Sequence, residues 1–133
     1  MATTQEALQV TGFVPIFTVD DLQKSITFYE ALGFTIDERW EEDGALVGVM
    51  MRAGKHQLGL NQDDWKKGRE RKKGVGMRLY MSTMQNVDEI AARAKRAGIR
   101  LDSDPHDTEF KSRAFEVTDP TGYLLTISSE TSS

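Results

Sequence analysis

The chain has 133 residues, with 21 acidic against 17 basic side chains, a net charge of -4 and no cysteine. That balance argues against a dedicated nucleic-acid binder, which needs a basic face for phosphates, and zero cysteines exclude disulfides and thiolate metal sites. The length suits one domain over 1–133, burying roughly two-thirds of its unfolded surface.

Met1 to Gln9 is polar and expected to fray. It lacks the basic start and apolar run of a signal peptide, and no apolar stretch approaches the roughly 20 residues of a membrane span. A cytoplasmic chain with no membrane partner is expected. Gly12 to Val19, rich in β-branched and aromatic residues, reads as a strand. In Asp20 to Phe34 the residues Leu22, Ile26, Tyr29 and Leu32 recur at helical spacing, Asp20 or Asp21 supplies a cap, and Gly33 supplies the stop. Phe34 to Glu41 is a second strand, turned by Glu42-Asp43-Gly44 into Ala45 to Arg52, where Val47, Val49 and Met51 alternate. Ala53-Gly54-Lys55 turns the chain again, and His56 to Asn61 makes a fourth strand.

A linker follows at about 62–75. It holds Lys66, Lys67, Arg69, Arg71, Lys72 and Lys73 against Asp63, Asp64 and Glu70. It reads either as an anion or nucleic-acid patch or as a solvated connection with a short helical turn, and the acidic whole favours the second. Trp65 is the exception, a side chain of the kind that folds back over a pocket or interface.

The pattern then repeats. Met77 to Ser82 is a strand, Val87 to Ala97 a helix stopped by Gly98, and Ile99 to Ser103 a strand. Asp104-Pro105-His106-Asp107 has turn chemistry, and Ser112 to Thr118 is a strand with Phe115 and Val117 on one face. Asp119-Pro120-Thr121-Gly122 carries the letters of a type I turn, and Tyr123 to Ser128 closes the set. Gly33 and Gly98 lie 65 residues apart, as do Leu22 and Val87. A strand, helix, stop and return at one offset indicate an internal duplication, with modules at about 12–61 and 76–128.

Asp21-Leu22, Ser25, Phe28-Tyr29, Leu32-Gly33-Phe34, Ala97-Gly98 and Asp119-Pro120-Thr121-Gly122-Tyr123 together resemble the vicinal oxygen chelate superfamily. That superfamily includes glyoxalase I, extradiol dioxygenases and bleomycin-resistance proteins. The resemblance covers about 12–128. It implies an α+β fold of two tandem βαβββ modules, whose curved mixed sheets surround a cleft with helices on the outer faces. It also implies a homodimer. In the superfamily's metalloenzymes an ion sits in that cleft on His, Glu or Gln. Those positions fall here on Val14, Gln57 and Thr126, and strand alternation adds Arg78 as the fourth. Valine has no donor atom and arginine repels a cation, so only Gln57 suits a metal, and neither a metal nor another cofactor is expected. His56 and His106 read as structural or solvated.

What remains is a binding surface. Arg78 and Tyr80 offer a cation and a phenol suited to an anionic group, with Gln57, Asn61, Thr18 and Thr126 as orienting hydrogen-bond partners. Trp40, Trp65, Phe110 and Phe115 are candidate apolar walls, although plain core is the simpler reading of any single aromatic. The function expected is a metal-free protein that binds a small molecule, sequestering a drug or metabolite as bleomycin-resistance proteins do. The alternatives are a lyase or dioxygenase-like enzyme with an atypical site, or a regulatory module.

Overall fold

The computed structural model describes residues 6–130. In chain order the elements are β1 (Ile16–Val19), α1 (Leu22–Leu32), β2 (Thr35–Glu42), β3 (Ala45–Ala53), β4 (His56–Gln62), β5 (Arg78–Thr83), α2 (Val87–Arg96), β6 (Ser103–Asp107), β7 (Arg113–Thr118) and β8 (Leu124–Ser129). They form two mixed four-stranded sheets ordered β1-β4-β3-β2 and β5-β8-β7-β6. In each, the first strand pairs parallel with the last, and the other pairings are antiparallel. The fold is therefore α+β, built from a repeated βαβββ unit.

Local chemistry sets the helix ends. Asp21 accepts from the Lys24 amide at 3.1 Å and caps α1, while Gly33, at φ 112°, ends it in the left-handed conformation. Leu22, Ile26, Tyr29 and Leu32 are all buried, so the helical stripe faces the core as its spacing predicts. Asn86 caps α2 by accepting from the Glu89 amide at 3.2 Å. Acids in the first turn of α2 and bases in the last complement its dipole. The Asp43-Gly44 pair has φ 50° and 79°, the two positive values a tight two-residue hairpin requires between Glu42 and Ala45.

Two strand boundaries differ from the sequence reading. β1 starts only at Ile16, and Phe13, expected inside it, is 82% exposed. The sixth strand is not Ile99 to Ser103. Ile99 and Leu101 pack against the core without a ladder, and the strand runs through Ser103–Asp107 instead. Its register breaks between Ser103 and His106, so Pro105 sits at an edge-strand irregularity, where the missing N–H costs no ladder bond.

Each helix covers one face of its own sheet and leaves the other open, and α1 also packs against α2. One continuous core joins Phe17, Leu60 and Tyr29 of the first module to Ala91, Phe115 and Leu125 of the second. Phe17 stacks parallel on Tyr123 with ring centroids 3.9 Å apart. The Tyr29 hydroxyl donates to Asp119 Oδ2 at 2.7 Å, and Asp119 Oδ1 accepts the amides of Thr121, Gly122 and Tyr123 at 2.8–2.9 Å. Burial first, then the neighbouring Asp119 charge and its bond, push the Tyr29 phenol far above its ordinary pKa, so it stays a donor.

The linker is less solvated than its composition suggests. The Lys73 side chain is 3% exposed, with its ammonium on Asp63 at 2.8 Å and on Asp20. Trp65 covers it, with the ammonium 4.7 Å from the ring centroid, and Arg69 lies 5.0 Å from the same centroid. Burial opposes the lysine charge, but the two carboxylates overcome it and leave its pKa raised. The linker also presses on the second module, because a Cβ at Gly74 would lie 2.4 Å from the Gly122 carbonyl oxygen. Only a glycine fits there, and at φ 79° only a glycine is relaxed. No helix among the described residues is long and apolar enough to cross a membrane.

Candidate functional site

Strand alternation divides the residues of the second sheet between its two faces. Phe115, Val117, Leu125 and Ile127 are buried on the helix side, with Leu79 and Met81 partly buried against them. Arg78, Tyr80, Glu116 and Thr126 therefore share the open face, with Tyr80 opposite Thr126 and Thr126 opposite Glu116. Arg78 Nη1 donates to Glu116 Oε2 and to Thr126 Oγ1, both at 2.8 Å. Glu116 is braced in turn by Ser103, whose hydroxyl donates to Oε1 at 3.3 Å and accepts the Glu116 amide at 3.1 Å. The pair is part solvated, with side chains 46% and 38% exposed, so it fixes orientation more than it adds stability.

Around this cluster the β6–β7 loop raises Phe110, 83% exposed, and Tyr80 is 59% exposed. They border a trough of about 430 Å³ whose lining includes His106, Ala114, Glu116 and Thr126.

The open face of the first sheet carries Trp40, Asn61 and Gln57. Gly48 pairs with both Trp40 and Asn61, and a Cβ there would meet Trp40 Cε3 and Asn61 Oδ1 at 2.7 Å each. The missing side chain lets the indole and the carboxamide settle onto the strand backbone. Gln57 donates to Asp37 Oδ2 at 2.7 Å, and Arg52 donates to the same oxygen at 2.7 Å. Those two bonds, Arg52 first, hold the Asp37 carboxyl below the usual carboxylate range. Gln57 and Tyr80 border one crevice of about 390 Å³ between the modules, with Phe13, Pro15, Phe34 and Leu79.

A scan against family models matches residues 10–127 to the Glyoxalase/Bleomycin resistance protein/Dioxygenase superfamily. The chain belongs to that superfamily. No curated protein matches it. Among solved structures, TioX from Micromonospora sp. ML1 superposes with a TM-score of 0.74 at 16% identity, covering 92% of this chain and 100% of that one. A putative glyoxalase from Bacillus halodurans gives 0.71 at 21% identity, with 92% and 97% covered. The hypothetical protein SA1046 from S. aureus gives 0.70 at 20%, with 95% and 97% covered. At these identities the likeness establishes the superfamily fold alone.

The superfamily's metal does not fit the residues present. Val14 has no donor atom and Thr126 accepts from a guanidinium that would repel an ion, so Gln57, whose nitrogen donates to Asp37, offers a single carboxamide oxygen, too few donors for an ion. Among the described residues no three His, Cys, Asp or Glu side chains converge on one point.

Two of the sequence candidates stand elsewhere. Phe115 is fully buried beneath α2 and lines no open face, since it shares parity with Val117. Trp65, at φ 63°, covers Lys73 in the linker. His56 lies across the ladder from Ala53, one step out of phase with Gln57. Sequence reading missed Glu116 and Ser103. The signal was available for Glu116, because placing Phe115 and Val117 in the core sends the residue between them to the opposite face.

Proposed function

We propose that this superfamily member is a cytoplasmic, metal-free protein that binds a small molecule on the open sheet faces, in the manner of bleomycin-resistance proteins. The observation that carries the reading is the Arg78–Glu116–Thr126 cluster. Arg78 and Thr126, two of the positions that the resemblance assigns to metal ligands, are bonded to each other, and Arg78 is paired with Glu116, which supports a site without a metal. Exposed Tyr80 and Phe110 beside it supply apolar contact, and Trp40 with Asn61 supply a second flat, polar-edged surface. Elemental analysis of the purified protein, run beside mass spectrometry of co-purified small molecules, tests it. The expected result is no stoichiometric zinc, nickel, iron or manganese. About one such ion per chain would overturn it.

A homodimer belongs to the same reading. Both helix-covered faces are spent on the shared core, and no hydrogen bond or ion pair among the described residues joins one open face to the other. Phe13, 82% exposed, is left for a second copy to cover. Light scattering at micromolar concentration is expected to give twice the chain mass of 15.0 kDa.

A further inference from the structure

Resting on that binding reading, we infer that the open face of the second sheet takes a hydroxyl-rich ring, a sugar or cyclic polyol, in a pocket floored by Ser128. The strand register builds the floor. Ser82, Ser128 and Ala114 lie in one row across β5, β8 and β7, on the parity of Tyr80 and Thr126 rather than that of the buried Leu125 and Ile127. Three small side chains beside the row of Tyr80, Thr126 and Glu116 leave a hollow in the face. At Ser128 it opens into a pocket of about 350 Å³, walled by Tyr80 and by Phe110 and Lys111 of the β6–β7 loop. That volume is at the small end for a ligand site and suits a single ring.

Unengaged hydroxyls give the ligand its class. Ser128 is 2% exposed, and its hydroxyl meets no partner among the described residues, although it is not sealed in as the Ser25 hydroxyl is. A buried hydroxyl without a bond is costly, so this one takes its partner from whatever fills the pocket. Ser82 and Tyr80 bring two more unengaged hydroxyls, whereas Ser112 is bonded to Thr108 and Ser129 to the Arg113 carbonyl. Each unengaged hydroxyl can donate or accept, which matches the alcohol groups of a sugar better than a carboxylate that only accepts. Lys111 and Glu130 border the pocket with opposite charges, so no charged ligand is favoured by both. The rings of Tyr80 and Phe110, 59% and 83% exposed, offer aromatic faces to the C–H side of the ring.

Methyl glucoside, methyl galactoside and methyl mannoside test it, with cyclohexanol as the ring that lacks their further hydroxyls. All are titrated at millimolar concentration and followed by backbone amide shifts. At least one glycoside is expected to shift Ser82, Ser128 and the loop from Thr108 to Ser112, and to bind at least about three-fold more tightly than cyclohexanol. Ser128→Ala is expected to weaken that glycoside about five-fold and to leave cyclohexanol binding and the melting temperature unchanged, because the hydroxyl it removes has no protein partner. Phe110→Ala, at an exposed loop position, should weaken both ligands without loss of stability. Cyclohexanol binding as tightly as every glycoside, or either variant leaving glycoside affinity unchanged, would overturn the inference and leave the binding face standing. Shifts confined to Trp40, Asn61 and their strands would do the same. If no probe moves an amide on either open face, the inference falls, while the co-purified small molecules, measured separately, decide the binding reading.

Discussion

Asp119→Ala is expected to cost about 4 kcal/mol, the largest single-residue loss in the molecule. One carboxylate accepts the Tyr29 hydroxyl from the first module and three amides of its own turn, and it is 4% exposed. Alanine would leave the Tyr29 hydroxyl and the Tyr123 amide buried without partners and free the turn that holds Tyr123 on Phe17. Thermal unfolding should show a melting temperature lower by about 15 °C. Asp119→Asn should cost less, because its oxygen can still serve the three amides. What remains should come from a reversed bond, in which its NH₂ group donates to the Tyr29 oxygen and leaves the hydroxyl proton without its acceptor. Adding Tyr29→Phe should then recover part of the loss, and a double-mutant cycle reads that coupling directly. A wild-type melting temperature in Asp119→Ala would mean that this bond does not join the modules.

Lys73→Met should produce the second largest effect. It removes the cation between Asp63 and Asp20 while keeping a stem beneath Trp65, so Asp63, 6% exposed, is left charged with only Arg71 at 3.6 Å. A buried ion that loses its partner is more damaging than a lost surface pair, and a fall in melting temperature on the order of 10 °C is expected. The double variant Lys73→Met with Asp63→Asn should recover much of it. The same pair dictates an acid dependence. The bond from Lys73, then the Trp65 amide, hold the Asp63 carboxyl below its ordinary pKa. A depressed carboxyl contributes stability that is present above the unfolded value, about 3.9, and is lost as pH falls through the lower folded value. Chemical denaturation of the wild type should therefore weaken below about pH 4. The double variant should lose less over that range.

The fold was legible because its signals were local and repeated. Leu22, Ile26, Tyr29 and Leu32 mark one helix face with no help from elsewhere, and the glycine stops and the 65-residue offset mark the duplication. β6 was not legible. Ile99 and Leu101 have the letters of a strand, but their partner is the core, and an edge strand tolerates the Pro-containing segment that follows. The linker misled for a different reason. Its charges read as solvent-facing because nothing in the segment names Asp20, which lies 53 residues before Lys73 and helps bury it. At the site, alternation placed Arg78 opposite the helix, while its partner Glu116 lies 38 positions away and emerges only when strand parity is applied to β7. The anionic group that Arg78 is suited to is thus already supplied by the protein itself, and this alters what a ligand can add.

The strand order also has a consequence for how the chain folds as it is made. Because β1 pairs with β4 and β5 with β8, neither sheet can complete its parallel ladder until its last strand exists. Such first-to-last pairing closes a long loop before it is rewarded, and it slows folding. The first half can close once Gln62 has been synthesised, yet the ring that covers Phe17 arrives with Tyr123, and the acceptor for Tyr29 only with Asp119. A nascent chain on the ribosome thus carries a finished sheet with an unfinished side, an apolar surface exposed for some 60 residues of synthesis, at about 5–20 residues per second. Chaperone contact during synthesis would fall on that surface, around Phe17 and Tyr29.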